Sequence, residues 1–290
     1  NGYGVKQDHK KAKEYYESSA LLNNSDAMNN LGAMYMSGFG VKQNPSKAKE
    51  YYELAGRLGN STALANLGDI YYEGIIVEKS YEKSKYFYEQ SAMLNNPLGQ
   101  YNLAYFYEKG LSGEKNYKKA LELYEKSAQQ NNVNSLIHLG NLYYNGEIVK
   151  QDYLQAKKYY EIAGKQNSSC AWNNLGNLYE NGYGVEKDYK KAKSYYESAT
   201  LKNDSNAFLN LGNIFKEGKG VPIDYLKAKI YFQKSADLGN SFAYVNIGCL
   251  YFHGEGVSKD YRKAKENFEK GTKLNNSAAF VYLGKLYYHG

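Results

Sequence analysis

Apolar residues recur along this chain at steps of three and four, as in Phe208, Leu211, Ile214 and Phe215, and again in Leu64, Leu67, Ile70 and Tyr71. That spacing places them on one face of a helix. Each such stretch holds a small pair after its central leucine: Leu31-Gly32, Leu67-Gly68, Leu103-Ala104, Leu139-Gly140, Leu175-Gly176, Leu211-Gly212, Ile247-Gly248 and Leu283-Gly284. Every interval is 36 residues, without insertion or deletion. A fixed period of this length marks a repeat array, so the 290 residues read as one array and not as two ordinary domains.

Each unit predicts two helices. The first runs from about Ser25 to Ser37 in its first complete copy, with an Asn or Ser ahead of it as cap and Gly38 as terminator. A loop such as Gly38-Phe39-Gly40-Val41 follows. Asn44, Ser80, Asn116, Asp152, Asp188, Asp224 and Asp260 then share one column and cap a second helix, with Pro45 suited to a first helical position. The second helix carries Lys-Ala-x-x-Tyr-Tyr-Glu, intact at 47–53 and 191–197, and ends in turns such as Leu22-Asn23-Asn24. One apolar face per hairpin is too small for a core, and stacking neighbouring hairpins buries it. The Gly of each Leu-Gly pair is expected to let the partner helix approach closely.

The unit Ala207-x-x-x-Leu211-Gly212-x-x-Phe215-x-x-Gly218-x-Gly220-Val221-x-x-Asp224-Tyr225-x-Lys227-Ala228-x-x-Tyr231-Phe232 resembles the Sel-one-like repeat, a relative of the tetratricopeptide repeat. Tyrosine pairs stand where that family often has Trp-Tyr, Asn-Asn turns such as Asn95-Asn96 replace its usual glycine, and the third repeat has Leu111-Ser112-Gly113 in place of the Gly-Val loop. The resemblance implies an all-α solenoid of eight helix-turn-helix repeats, a right-handed superhelix and a role in assembling protein complexes.

Composition sharpens this picture in three places. The 3 prolines leave helices uninterrupted and the 28 glycines punctuate them. Of the 34 tyrosines, 13 fall in two repeat columns, one through Tyr35, Tyr71, Tyr107, Tyr143, Tyr179, Tyr251 and Tyr287 and one through Tyr16, Tyr52, Tyr88, Tyr124, Tyr160 and Tyr196, where core packing explains them without a cofactor. A net charge of +7 is mild for this length, so no nucleic-acid partner is expected. Lysine runs such as Lys190-Lys191-x-Lys193 lie one turn before glutamates such as Glu197, as on a solvated face; an acidic partner is the alternative.

Candidate chemistry is sparse. Two cysteines, Cys170 and Cys249, are too few for a disulfide scaffold or a zinc site, and reduced, partly buried thiols are expected. Cys249 precedes His253 by one helical turn with no acid to orient them, His253 and His289 lie one repeat apart, and His9 stands in a column that is mostly tyrosine. Gly2-Tyr3-Gly4, Gly38-Phe39-Gly40 and Gly182-Tyr183-Gly184 lack the strand and lysine of a phosphate loop and read as helix-ending turns. Asn-x-Ser/Thr triplets at Asn23, Asn60, Asn167, Asn203 and Asn275 fall in turns that favour these residues anyway. No cofactor or catalytic group is expected, nor any membrane span, since no apolar run approaches about 20 residues. The cysteine usage and the absence of a signal-like start lean toward the cytoplasm. Beginning at Asn1 and ending at Gly290, between caps, the sequence reads as an excerpt whose ends continue or pair end to end.

By analogy with tetratricopeptide arrays, the first helices line a concave wall, and the columns facing it hold Tyr72, Tyr101, Tyr105, Tyr144, Phe252 and Tyr288 as candidate partner contacts. Beside them runs a nearly uniform column: Asn30, Asn66, Asn102, Asn174, Asn210 and Asn246, interrupted by His138 and ended by Tyr282. Amides donate and accept, so such a row could clamp the main chain of an extended peptide; the alternative is that each bonds the neighbouring repeat. The expected function is a non-enzymatic scaffold or adaptor holding another protein or peptide. A secreted effector or toxin-immunity protein is the second reading, and an enzyme or small-molecule binder on the same array the third.

Overall fold

The structure, a computed structural model, describes residues 4–289, with the side chain of His289 outside the description. Gly2 and Tyr3 of the first Gly-x-Gly turn, and Asn1 and Gly290, also lie outside it. Among the described residues there are sixteen helices and no strand. In chain order they are α1 (His9–Ala20), α2 (Ser25–Ser37), α3 (Pro45–Arg57), α4 (Ser61–Glu73), α5 (Tyr81–Met93), α6 (Pro97–Lys109), α7 (Tyr117–Gln129) and α8 (Val133–Asn145). There follow α9 (Tyr153–Lys165), α10 (Ser169–Asn181), α11 (Tyr189–Thr200), α12 (Ser205–Glu217), α13 (Tyr225–Asp237), α14 (Ser241–His253), α15 (Tyr261–Lys273) and α16 (Ser277–His289). The even-numbered helices carry the Leu-Gly pair and the odd-numbered ones the tyrosine pair. The chain forms two compact units, Asn1–Leu139 and Gly140–Gly290, divided within α8.

The caps follow the sequence columns. Asp188 Oδ1 accepts from the Lys191 N–H at 2.9 Å and Asn60 Oδ1 from the Ala63 N–H at 2.9 Å, each closing a free donor at a helix start. Gly38, Gly74, Gly182 and Gly218 end their helices in the left-handed conformation. In the short turn after each odd-numbered helix the same conformation falls to asparagine, at Asn23, Asn95, Asn131, Asn167, Asn203 and Asn275, or to Gly59 and Gly239. Asparagine tolerates it better than most side chains, which is why it stands in for glycine there.

The loop after the even-numbered helices needs the left-handed conformation a second time, at Gly40, Gly184, Gly220 and Gly256. There a side chain is also excluded sterically: an added Cβ would meet His9, Tyr153, Tyr189 and Tyr225 at 2.4–2.7 Å. In the second repeat this column holds Ile76, at φ 57°, and in the third Ser112, at φ 59°. Ser112 thereby supplies what the altered Leu111-Ser112-Gly113 loop lacks. Ile76 is β-branched, 48% exposed and strained, and Pro45 replaces the usual ring at the helix start that this column faces. Ile76→Gly is expected to stabilise the protein by about 1 kcal/mol, relief of strain outweighing the looser unfolded chain; an unchanged or lower urea midpoint would contradict the strain.

Within unit 1 the core runs through Met28, Tyr52, Leu67 and Ile70 and on through Tyr88, Leu103 and Phe106. Within unit 2 it runs through Tyr196, Leu211 and Ile214, then Phe232, Ile247 and Leu250, then Phe268 and Ala279. Leu31, Leu67, Leu139, Leu175 and Leu211 are at most 2% exposed, so each removes a full side chain from water, worth roughly 1.5–3 kcal/mol.

The glycine after each leucine accommodates a ring, which is narrower than the helix approach expected from the sequence. A Cβ on Gly32, Gly68, Gly140, Gly176, Gly212 or Gly248 would lie 2.4–2.6 Å from the ring of Tyr52, Tyr88, Tyr160, Tyr196, Phe232 or Phe268, the second aromatic of the following helix. These rings are at most 4% exposed.

The other tyrosine column is less buried than core packing predicts. Tyr35 and Tyr179 are buried, whereas Tyr71, Tyr107, Tyr143 and Tyr251 are half-buried and Tyr287 is 70% exposed. Several rings of this column stack on the first aromatic of the pair and are capped by lysine. Tyr35 stacks on Tyr51 at 5.7 Å under Lys47 Nζ, 4.5 Å from the Tyr35 ring, and Tyr179 stacks on Tyr195 at 5.7 Å under Lys191. The following lysine reaches one turn onward, Lys193 to Glu197 at 2.7 Å and Lys157 to Glu161 at 2.9 Å, in the pairing expected from the sequence. The lysine runs thus serve two structural purposes on the second helices. Cys249 is half-buried, but Cys170 is exposed, against the expectation of a partly buried thiol, because it sits at the second position of α10 on the side away from Ala171.

Candidate wall of the first helices

The asparagine column bonds outward from its own repeat. Asn66 Nδ2 donates to Asn29 at 3.1 Å, Asn102 Nδ2 to Asp69 at 3.2 Å and Asn174 Nδ2 to Asn141 at 3.3 Å. Asn210 Nδ2 donates to Asn173 at 2.9 Å and to Asn177 at 3.3 Å, using both amide hydrogens. Each acceptor belongs to the preceding repeat, so the amides bond their neighbours as the alternative to a peptide clamp requires. Asn246 differs: its Nδ2 donates to the Phe242 carbonyl at 3.2 Å and its Oδ1 accepts from Lys216 at 3.1 Å. The four preceding-repeat donors keep Oδ1 as an acceptor on the wall, half of the clamp's chemistry.

The acceptors are shared with the buried rings. Tyr88 donates its hydroxyl to Asp69 Oδ1 at 2.6 Å, Tyr160 to Asn141 Oδ1 at 2.7 Å and Tyr196 to Asn177 Oδ1 at 2.7 Å. Burial pushes all three phenols up, so they remain donors. Where the following helix carries Phe232 or Phe268, no hydroxyl has to be satisfied.

His138 is tied down by Glu108. Glu108 is 4% exposed, and its Oε2 contacts His138 Nε2 at 2.6 Å and accepts from the Tyr124 hydroxyl at 2.9 Å, while Lys109 bonds Oε1. Burial opposes ionisation here, but these hydrogen bonds outweigh it and hold the carboxyl at about 2. The His138 ring also packs 4.4 Å from Tyr124. The sequence signal here is a paired one: His138 is the exception in the asparagine column, and it meets a glutamate from the preceding repeat.

Of the aromatic candidates, Tyr72, Tyr101, Tyr105, Tyr144 and Phe252 are half-buried and only Tyr288, at 86%, is exposed. Tyr144 lies against Tyr153 at 5.5 Å and Tyr183 at 6.0 Å, and Phe252 against Tyr261 at 5.4 Å. Tyr72, Tyr101, Asn102 and Tyr105 are brought together in unit 1, around an open pocket of about 260 Å³ that also exposes Asp69 and Glu73. Asp69 was not a sequence candidate, although its column holds the candidate Tyr105 as well as Asn141 and Asn177.

Among the described residues no group of three or more His, Cys, Asp or Glu side chains could hold a metal ion, and no helix is long and apolar enough to cross a membrane. His253 is exposed and stacks edge-on to Phe252 at 5.0 Å, while His9 stacks on Phe39 at 5.5 Å.

Comparison with known proteins agrees with this architecture. No curated protein sequence matches the chain significantly. Among solved structures, a protective antigen of uropathogenic Escherichia coli with an SLR fold is 35% identical over 96% of this chain, with a TM-score of 0.82; the chain spans 60% of that protein. A Sel1 repeat protein from Oxalobacter formigenes is 28% identical over 87% of this chain and all of its own, with a TM-score of 0.76. An immunity protein from Pseudomonas aeruginosa is 25% identical, covering 74% of this chain and 81% of its own, with a TM-score of 0.50. The Sel1 repeat model matches residues 1–24, 25–60, 61–96, 97–132, 133–168, 173–204, 207–240 and 241–276, and with eight matched units the chain belongs to the Sel1 repeat family.

Proposed function

We propose that the protein is an interaction scaffold that holds a peptide or loop of another protein on the wall of its first helices. The family supports the broad statement, since Sel1 repeats are generally non-enzymatic and mediate protein interactions. The observation that carries the narrower one is the convergence of Tyr72, Tyr101, Asn102 and Tyr105 on one open pocket. Rings that are half-buried are held in place before binding, so little side-chain entropy remains to be lost on contact. Within unit 1 the Oδ1 atoms of Asn66 and Asn102 add acceptors for main-chain N–H groups of a bound segment; within unit 2 those of Asn174 and Asn210 do the same, and Tyr144, Phe252 and Tyr288 add apolar contacts there.

A photo-crosslinking residue placed at Tyr101 or Tyr144 is expected to capture a discrete partner in the source cells. The same residue at Tyr86 or Leu226, exposed on second helices, is expected to capture none. Equal capture from both sets would remove the wall as the binding surface. The likeness to an immunity protein supports one specific partner, a toxin, and mass spectrometry of the captured species decides that point.

A further inference from the structure

Three carboxylates, Asp69, Glu108 and Glu180, lie beneath the surface of the first-helix wall, and two of them have a cation within the chain. Glu108 has Lys109, with the His138 ring beside it, and Glu180 has Lys219 at 2.8 Å. Asp69 has none among the described residues. Its two hydrogen-bond donors, the Tyr88 hydroxyl and the Asn102 amide, are neutral and both bond Oδ1, so Oδ2 is left without a hydrogen bond among the described residues in a side chain that lines the pocket. Burial pushes its carboxyl up, the direction expected of a charge lacking a counterion.

The rest of the pocket suits a cation. Tyr72, Tyr101 and Tyr105 supply rings, with the Tyr72 hydroxyl hydrogen-bonded to Tyr105, and Glu73 stands one helical turn beyond Asp69 on α4. Aromatic faces attract cations, and the attraction grows as water is excluded. Two lysines of the chain already touch these rings, Lys79 over Tyr72 at 5.1 Å and Lys109 over Tyr105 at 5.7 Å, and the carboxylate that Lys109 pairs with is Glu108, which leaves the Tyr101 ring for an incoming cation. Two carboxylates one turn apart beside flat rings favour a planar, many-donor cation over a compact one, because a guanidinium can bond both acids while stacking.

We propose that this pocket receives an arginine side chain of the partner protein, its guanidinium bonded to Asp69 Oδ2 and Glu73 and stacked on the Tyr101 ring, an inference that rests on the wall being the partner-binding surface. Arginine thereby supplies from outside the positive charge that Lys109 and Lys219 supply internally at the other two carboxylates.

The test uses the whole chain and the blocked tripeptide acetyl-Gly-Arg-Gly-amide, with side-chain amide resonances of Asn102 as reporter. A saturable shift with a dissociation constant on the order of 1 mM is expected for one isolated anchor. The citrulline analogue, neutral but of the same shape, should bind at least tenfold more weakly, and the lysine peptide several-fold more weakly. Asp69→Asn should weaken arginine binding tenfold or more at unchanged thermal midpoint, since asparagine already fills this column at Asn141 and Asn177. Glu73→Gln, at the exposed rim, should weaken it two- to fivefold. Absence of a saturable shift, equal citrulline binding, lysine binding as tight as arginine, or an indifferent Asp69→Asn variant would each overturn the assignment. Should these fail while crosslinking at Tyr101 still captures a partner, the wall remains the binding surface and the arginine pocket is wrong. Should crosslinking fail while the Asp69-dependent arginine shift persists, the scaffold reading falls instead.

Discussion

Gly140→Ala is expected to destabilise the protein by about 3 kcal/mol, read as a lower urea midpoint at unchanged slope. The new Cβ would sit 2.4 Å from Cε1 of Tyr160, a ring that is 1% exposed and has no outward path. Displacing the ring strains the core by roughly 1–3 kcal/mol and also breaks the 2.7 Å hydrogen bond to Asn141, worth about 1 kcal/mol when its partner stays buried. Gly176→Ala provides the comparison. Its Cβ would crowd Tyr196 as closely, at 2.5 Å, but that hydroxyl also bonds Glu180 at 2.6 Å, so the ring can shift and keep one anchor. Its expected cost is about 1–2 kcal/mol. The third repeat already shows this solution: Ala104 takes the glycine position and the Tyr124 hydroxyl bonds Glu108, one turn along. If Gly140→Ala costs under about 1 kcal/mol, or no less is lost at Gly176, the ring does not govern the glycine column.

Glu108→Gln is expected to cost about 3 kcal/mol near neutral pH and to cancel part of the acid sensitivity. The folded carboxyl sits at about 2 against an ordinary 4.5, a depressed value, so its stabilisation is complete above about pH 4.5 and is lost as pH falls toward 2. A tenfold change in the ionisation equilibrium corresponds to about 1.4 kcal/mol, which sets the magnitude. Wild type and variant should therefore differ most at pH 6–7 and converge as the pH falls from 4.5 toward 2, in urea midpoints taken at each pH. A difference that stays constant across that range would mean that shape, and not charge, is what glutamine disturbs. His138→Asn restores the residue usual in its column and removes one of the three donors, so it should give a smaller loss in the same direction.

The repeat, its helix limits and most caps are legible in the sequence because they depend on local chemistry repeated eight times. Leu, Gly, Asn and Asp recur where burial, left-handed backbone and free N–H groups require them, and α2 spans the Ser25–Ser37 expected from its pattern. The wall was legible in position more than in contacts. A column shows that Asn66, Asn102, Asn174 and Asn210 are equivalent, but their amides bond residues 33 or 37 positions earlier, and no local pattern shows which. The same limit hid the ring against glycine and the stacks of Tyr71 on Phe87 and Tyr143 on Tyr159. Asp69 and Glu108 stayed hidden for a further reason: each stands in a column of mixed residue types, and its meaning depends on what stands opposite in another repeat.

The pairing of glycine with a six-membered ring also bears on how such a surface can change over time. Tyrosine and phenylalanine present nearly the same volume to the glycine, as Tyr196 and Phe232 do to Gly176 and Gly212. Exchange between them therefore alters one hydroxyl without disturbing the stacking of hairpins. Because that hydroxyl shares its acceptor with the asparagine of the next repeat, as at Asp69, Asn141 and Asn177, the exchange resets one part-buried hydrogen bond beneath the first helices while the framework that carries it stays fixed.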